Sequence, residues 1–143
     1  MRAATLADVD SIVALGMEAL ERNPYPGLLV SRSKVKEVAV ECISQNCNFA
    51  WVEEEDGVVV GAVCAMVHEM TFHERQQATV VQFYSTKPNK GVRLIREFLK
   101  WARGRRTIKM ICFTLECKAD PRVGKLLNRL GLKQELPVYM ELR

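Results

Sequence analysis

Long hydrophobic runs are missing from this 143-residue chain. The longest apolar stretch, Val58 to Val67, has ten residues including a glycine, too short to span a bilayer as a helix. The opening residues show no charged segment followed by an apolar one, so neither a secretory leader nor a membrane partner is expected. Repeats, low-complexity tracts and dividing linkers are absent as well, which predicts one domain over residues 1–143. Aromatic residues amount to 7% and do not interleave with the basic stretch, where Trp101 alone could stack on a base, so nucleic acid is not an expected partner. Cysteine spacing is wrong for metal. Cys42 and Cys47, like Cys112 and Cys117, stand five apart with no histidine at ligand spacing, so no metal site is expected. Cys64 lies in the apolar stretch and reads as a small core residue. Five cysteines leave one unpaired under any pairing, which points to a reducing, cytoplasmic setting.

What is present is a globular composition, 48% hydrophobic and 27% charged, with a net charge of +4 that hides a strong asymmetry. Residues 1–86 hold six Lys/Arg against twelve Asp/Glu. Residues 87–109 hold nine Lys/Arg against Glu97 alone, and that window supplies the whole excess. Such a cluster suits an anionic ligand or simply a solvated helix face.

Periodicity gives the order of elements. Thr5 and Asp8 form a T-x-x-D capping box before a helix over about Leu6 to Glu21, with Val9, Ile12, Val13, Gly16 and Leu20 on one stripe. A second helix is predicted after Ser33, with Val35, Val38, Ala39, Cys42 and Ile43 inward. Phe49–Val52 and Val58–Val67 read as strands about an Asp56-Gly57 turn, and Glu53, Glu54, Glu55 and Asp56 read as a solvated turn. His68 to Arg75 reads as a polar loop and Ala78 to Ser85 as a third strand. After Lys87-Pro88-Asn89-Lys90-Gly91 comes an amphipathic helix with Leu94, Ile95, Phe98, Leu99 and Ala102 inward. A strand at Ile108–Leu115 follows, then an Asp120-capped helix that stops at Gly131, and a last strand at Val138–Leu142. This α-α-β-β-β-α-β-α-β order implies an α/β, or α+β, fold: a central mixed, mostly antiparallel sheet flanked by about four helices.

The strand, basic turn and helix at 79–103 carry the most chemistry. A helix N-terminus offers unpaired N–H groups to a pyrophosphate, Lys87 and Lys90 add charge, and Gly91 allows close approach. Four segments in sequence resemble the GNAT family of acetyl-CoA-dependent N-acetyltransferases. They are RAATLADVDSIVALGMEAL at 2–20, FAWVEEEDGVVVGAVCAMV at 49–67, GVRLIREFLKWARGR at 91–105 and LECKADPRVGKLLNRLGLK at 115–133. The resemblance covers nearly the whole chain and implies the acyl-CoA N-acyltransferase fold, with acetyl-CoA as cosubstrate and a small-molecule or peptide amine as acceptor. It implies a cofactor site at Phe83, Tyr84, Ser85, Thr86, Lys87, Asn89, Lys90, Gly91 and Val92, with Asp120 on the late helix.

The family's motifs are eroded. Its phosphate loop reads Q/R-x-x-G-x-G/A; the matching positions hold Thr86, Asn89 and Gly91, so only the last agrees. Asn89 could replace the middle glycine in a left-handed conformation. In the late helix, Leu127 stands where the family has its tyrosine general acid, and Val123 replaces an alanine. Tyr84 or Tyr139 could supply the missing acid, each otherwise reading as an aromatic in the core. Glu116, in a segment similar to the family's catalytic strand end, is the candidate base; an ordinary edge-strand Glu is the alternative. Glu69, Glu74, His68 and His73 are further base candidates.

Two functions follow. One is transfer of acetyl to a primary amine by direct attack through a tetrahedral intermediate, its oxyanion met by a backbone N–H near Phe83 to Ser85. The other is a GNAT-like binding module of weak or no activity, of a kind phages also carry. The acidic first 86 residues favour a cationic acceptor. The sequence allows a homodimer and does not decide it.

Overall fold

A computed structural model describes residues 1–20, 28–115 and 121–134 of the chain. The elements are β1 (Arg2–Ala3), a 3-10 turn (Leu6–Asp8), α1 (Val9–Leu20), α2 (Arg32–Ser44), β2 (Phe49–Glu55), β3 (Val58–Met70), β4 (His73–Ser85), α3 (Pro88–Gly104), β5 (Ile108–Phe113) and α4 (Pro121–Arg129). The strands form one sheet in the order β1-β2-β3-β4-β5, antiparallel except for β4 and β5, which run parallel.

Strand alternation sorts the core into two layers. Phe49, Val63 and Ala65 point to the face covered by α3 and α4, where they meet Leu94, Ile95, Phe98, Leu99, Ala102 and Leu127. Ala50, Val52, Ala62 and Cys64 point to the other face, against Ile12, Leu15, Ala39 and Cys42 of α1 and α2. The five residues predicted to face inward from α3 are all buried. Phe98 seats that helix, with its ring centroid 5.6 Å from Phe49 and 6.1 Å from Trp101. Cys64 is the small core residue expected. Its thiol is pushed up, first by the neighbouring Cys42 and then by burial.

Two local signals are realised as predicted. Asp56 and Gly57 both take positive φ in the β2–β3 turn. Gly131 also takes positive φ and ends α4, with Leu132 N–H donating to Leu127 O at 3.0 Å. Three expectations are corrected. Residues 68–75 are not a loop: β3 and β4 continue to a tight turn at Thr71-Phe72. Polar side chains are tolerated there because β2 pairs with β3 only as far as Ala65, so the hairpin end extends beyond its neighbour. α2 starts at Arg32, capped by Ser31, whose Oγ accepts from Lys34 N–H. α3 starts at Pro88, so Asn89 and Gly91 lie in its first turn and not in a preceding loop. The predicted last strand at Val138–Leu142, Tyr139 included, lies outside the described residues.

The capping box at the entry to α1 is reinforced by charge. Asp8, 6% exposed, accepts from Thr5 N–H (2.7 Å) and Thr5 Oγ1 (3.0 Å). Arg2 donates to both of its oxygens at 2.7 and 2.8 Å and also to Glu54. These hydrogen bonds, Arg2's foremost, hold the Asp8 carboxyl well below the usual carboxylate range despite its burial. The folded-state value lies below the unfolded one of about 4, so the stabilisation is complete above about pH 4 and is lost as pH falls further. Asp8→Asn is expected to cost about 1–2 kcal/mol at neutral pH and to flatten the decline of stability below about pH 4. Urea unfolding at a series of pH values checks this; an unchanged decline would assign it to other carboxylates.

Candidate active-site cleft

The cleft follows from where two parallel strands part. β4 and β5 pair from Gln76↔Ile108 to Val80↔Phe113, and there β5 ends. β4 runs on for five residues, Val81 to Ser85; Gln82 to Ser85 pair on the other side with Cys64 to Gly61 of β3, and Val81 falls at a register shift. Among the described residues, its edge toward β5 is therefore open over this stretch. A cavity of about 500 Å³ lies along that edge. Its walls come from α1 (Gly16, Ala19, Leu20), α2 (Lys34, Val35, Val38), β4 from Val80 to Ser85, Phe113 to Leu115 and Val123 of α4.

Close packing holds the walls. At Gly16 of α1 an added Cβ would lie 2.5 Å from Gln82 Nε2, and that amide donates to Ile12 O at 2.9 Å. The small residue lets α1 come against β4, and the Gln82 amide clips it there. On the opposite face, a Cβ at Gly91 would lie 3.1 Å from both Phe83 Cζ and Ser85 Cβ. Gly91 thus admits the first turn of α3 onto the end of β4. Phe83 in turn packs edge-on to Phe113 with centroids 5.5 Å apart, across the mouth where the strands separate.

The predicted cofactor residues gather here. Phe83, Tyr84 and Ser85 line the cavity. Ser85 Oγ donates to Lys87 O and accepts from Lys87 N–H, tying strand end to helix start. Thr86 donates through both N–H and Oγ1 to Val60 O. Lys90 and Gly91 N–H both donate to Lys87 O, and Pro88 has no N–H, which leaves the Asn89 N–H of the first turn for an outside acceptor. Asn89 is helical. The left-handed conformation expected for it is not found; among the described residues Asp56 is the non-glycine with positive φ. Val92 is half-buried behind this turn. Glu116 and Asp120 lie outside the described residues, as does Cys117. Leu127, at the family's tyrosine position, is 6% exposed in the core and supplies no acid. Glu69 and Glu74 lie near the far hairpin turn with Arg75, Arg106 and Lys109, away from this cavity.

Sequence reading missed two functional groups. The Tyr84 hydroxyl donates to Glu18 Oε1 at 2.6 Å, across 66 positions of sequence, at the rim of the cavity. Glu18 sits on the exposed side of α1 with no periodic or motif signal; only the packing of α1 on β4 brings it there. The second is Glu53. Expected in a solvated turn, it is instead 1% exposed in β2, on the face that meets α3. Its carboxylate lies 3.9 Å from Lys90 Nζ, 3.5 Å from Arg93 Nη1 and 3.1 Å from the Met1 ammonium. Oε2 is buried without a hydrogen-bond donor among the described residues. Glu55 pairs with Lys87 at 3.2 Å. The acidic run and the basic turn, read separately in the sequence, face each other.

No protein-family model and no curated protein matches the chain. Solved structures do. A predicted acetyltransferase of Clostridium acetobutylicum with acetyl-CoA superposes with a TM-score of 0.75 at 14% identity, covering 99% of this chain and 94% of that one. An aminoglycoside acetyltransferase from a soil metagenomic sample, in complex with sisomicin, gives 0.65 at 12% identity, covering 99% and 95%. A transcriptional regulator of Bacillus halodurans gives 0.71 at 18% identity, covering 99% and 97%. At these identities the likeness is one of fold. The mixed, mostly antiparallel sheet and its flanking helices are those of the GNAT acyl-CoA N-acyltransferase fold.

Proposed function

We propose that the protein transfers an acetyl group from acetyl-CoA to a primary amine. The observation that carries this reading is the open edge of β4 at Val81–Ser85 beside an apolar cavity of about 500 Å³. A pantetheine arm has amides that complete an exposed strand edge and methyl groups that suit apolar walls. Its thioester then lies by Phe83 to Ser85, where a backbone N–H stabilises the oxyanion. Asn89 N–H and Lys87 face the diphosphate.

The amine attacks the thioester carbon directly; the C–N bond forms, the C–S bond breaks, and one proton passes from nitrogen to sulfur. Glu18 takes the proton from the acceptor and Tyr84, hydrogen-bonded to it, delivers one to the thiolate. Glu116 stays a second candidate base on the strength of the family resemblance. Amine acceptors with an apolar part fit the walls of Ala19, Leu20, Val35 and Val38. A neighbour in fold described as a predicted acetyltransferase with acetyl-CoA and an aminoglycoside acetyltransferase in complex with sisomicin support the reaction class and a small-molecule acceptor.

The test pairs calorimetric titration of acetyl-CoA with release of free thiol in the presence of polyamines, aminoglycosides and lysine peptides. Binding with amine-dependent thiol release is expected; neither at millimolar donor would refute the reading. Binding without turnover would favour the second reading, a GNAT-like binding module, which the buried Leu127 motivates.

A further inference from the structure

The basic window that suggested an anionic ligand is largely engaged inside the molecule. Lys87 pairs with Glu55, Lys90 and Arg93 with Glu53, and Lys100 with Glu97. Arg103 donates to Leu130 O at 2.6 Å, at the C-terminal end of α4. Arg105 lies 4.6 Å over the Trp101 ring and donates to Asn46 O. Around the first turn of α3, Lys87, Lys90 and Arg93, together with the Met1 ammonium 3.1 Å from Glu53, thus face two carboxylates. The Lys87–Glu55 pair is solvent-exposed and readily exchanged. The Glu53 pair is not: its carboxylate is 2% exposed, and drawing Lys90 and Arg93 away would leave a buried charge without them. The amides are similarly engaged, with Asn89 N–H left over. A 3′-phosphorylated adenosine diphosphate carries about four negative charges, and this turn meets it with cations already paired to carboxylates and, among the described residues, one free amide.

Among the described residues, the rest of the cleft has an open strand edge, apolar walls and the Tyr84–Glu18 pair. We infer that the grip on the donor lies in the pantetheine arm and its thioester, so the donor class is acyl-pantetheine thioesters at large, with or without the nucleotide. This rests on the acyl-transfer reading above. The chemistry is unchanged: amine nitrogen attacks the acyl carbon, the pantetheine sulfur leaves, and it takes up the proton that the amine gives.

The experiment compares S-acetylpantetheine with acetyl-CoA as donors to the same amine. kcat/KM values within about tenfold of each other are expected, since exposed cations already held in ion pairs and one amide discriminate weakly. In Glu53→Gln/Glu55→Gln, which frees Lys87, Lys90 and Arg93, the ratio is expected to move about tenfold toward acetyl-CoA. A preference for acetyl-CoA above about 100-fold in the parent protein overturns the inference and leaves acetyl transfer standing. An unchanged ratio in the double variant overturns its electrostatic basis. Turnover with neither donor overturns acetyl transfer and this inference together.

Discussion

Replacing both Lys90 and Arg93 by alanine is expected to cost about 3 kcal/mol of folding stability, well beyond the 0–1 kcal/mol of an exposed ion pair. The reason is Glu53. Its carboxylate is 1% exposed, its Oε2 accepts no hydrogen bond among the described residues, and the two cations offset its burial at 3.5–3.9 Å. Removing them strands a charge next to the core, with the Met1 ammonium as its nearest partner. Glu53→Gln in the same background is expected to restore much of the loss, because an amide is far cheaper to bury than a carboxylate. Lys87→Ala is the control: both members of its pair are exposed, so a change under about 1 kcal/mol is expected. The loss should also persist in high salt, since buried charges are weakly screened. Urea unfolding of the four proteins decides the matter. A loss below about 1 kcal/mol for the Lys90/Arg93 variant would return Glu53 to the solvated turn that its neighbours suggest.

Glu53 also shows where sequence stopped being informative. Four acids before a tight turn look like a hydrated hairpin, and a strand's alternation is too short there to mark one of them as inward. Burial of Glu53 is set by the arrival of α3 on the same face, forty residues later. α3 was legible because its apolar residues recur at helical spacing from Leu94 to Ala102, and the structure buries all five predicted ones. The hairpin end at 68–75 was not, because strands beyond the last neighbour need no apolar face and so lose the period-two signal. The turn expected to face a phosphate differs in conformation from that expectation. Pro88 starts the helix early, which places Asn89 in helical conformation and engages amides that a longer loop would present. Tyr84 was legible as a strand residue of the candidate site. Its partner was not, since Glu18 reaches it only through the seating of α1 by Gly16 and Gln82.

That pairing carries the largest expected effect on activity. Tyr84→Phe is expected to lower kcat by about 10²-fold with KM for the acyl donor little changed, the size of a lost general acid or base. The 2.6 Å bond has the phenol donating to the Glu18 carboxylate, and under the proposed reaction the two make one path between acceptor nitrogen and leaving sulfur. Glu18→Gln is expected to give a similar loss by removing the proton acceptor. The double variant should be little worse than either single one, because a relay cut at one point is already broken. A purely structural role makes a different prediction: stability would fall in step with activity, the two losses would add, and KM would rise as the cavity rim loosened. Glu18 is on the exposed side of α1, so its replacement should change stability by no more than about 0.5 kcal/mol, which separates the two accounts. Steady-state kinetics and urea unfolding on the same preparations give both readouts. Retention of activity within about threefold in Tyr84→Phe would remove the pair from the proton path. The carboxylate of Glu116, inferred from the resemblance to GNAT strand ends, would then be the base to test.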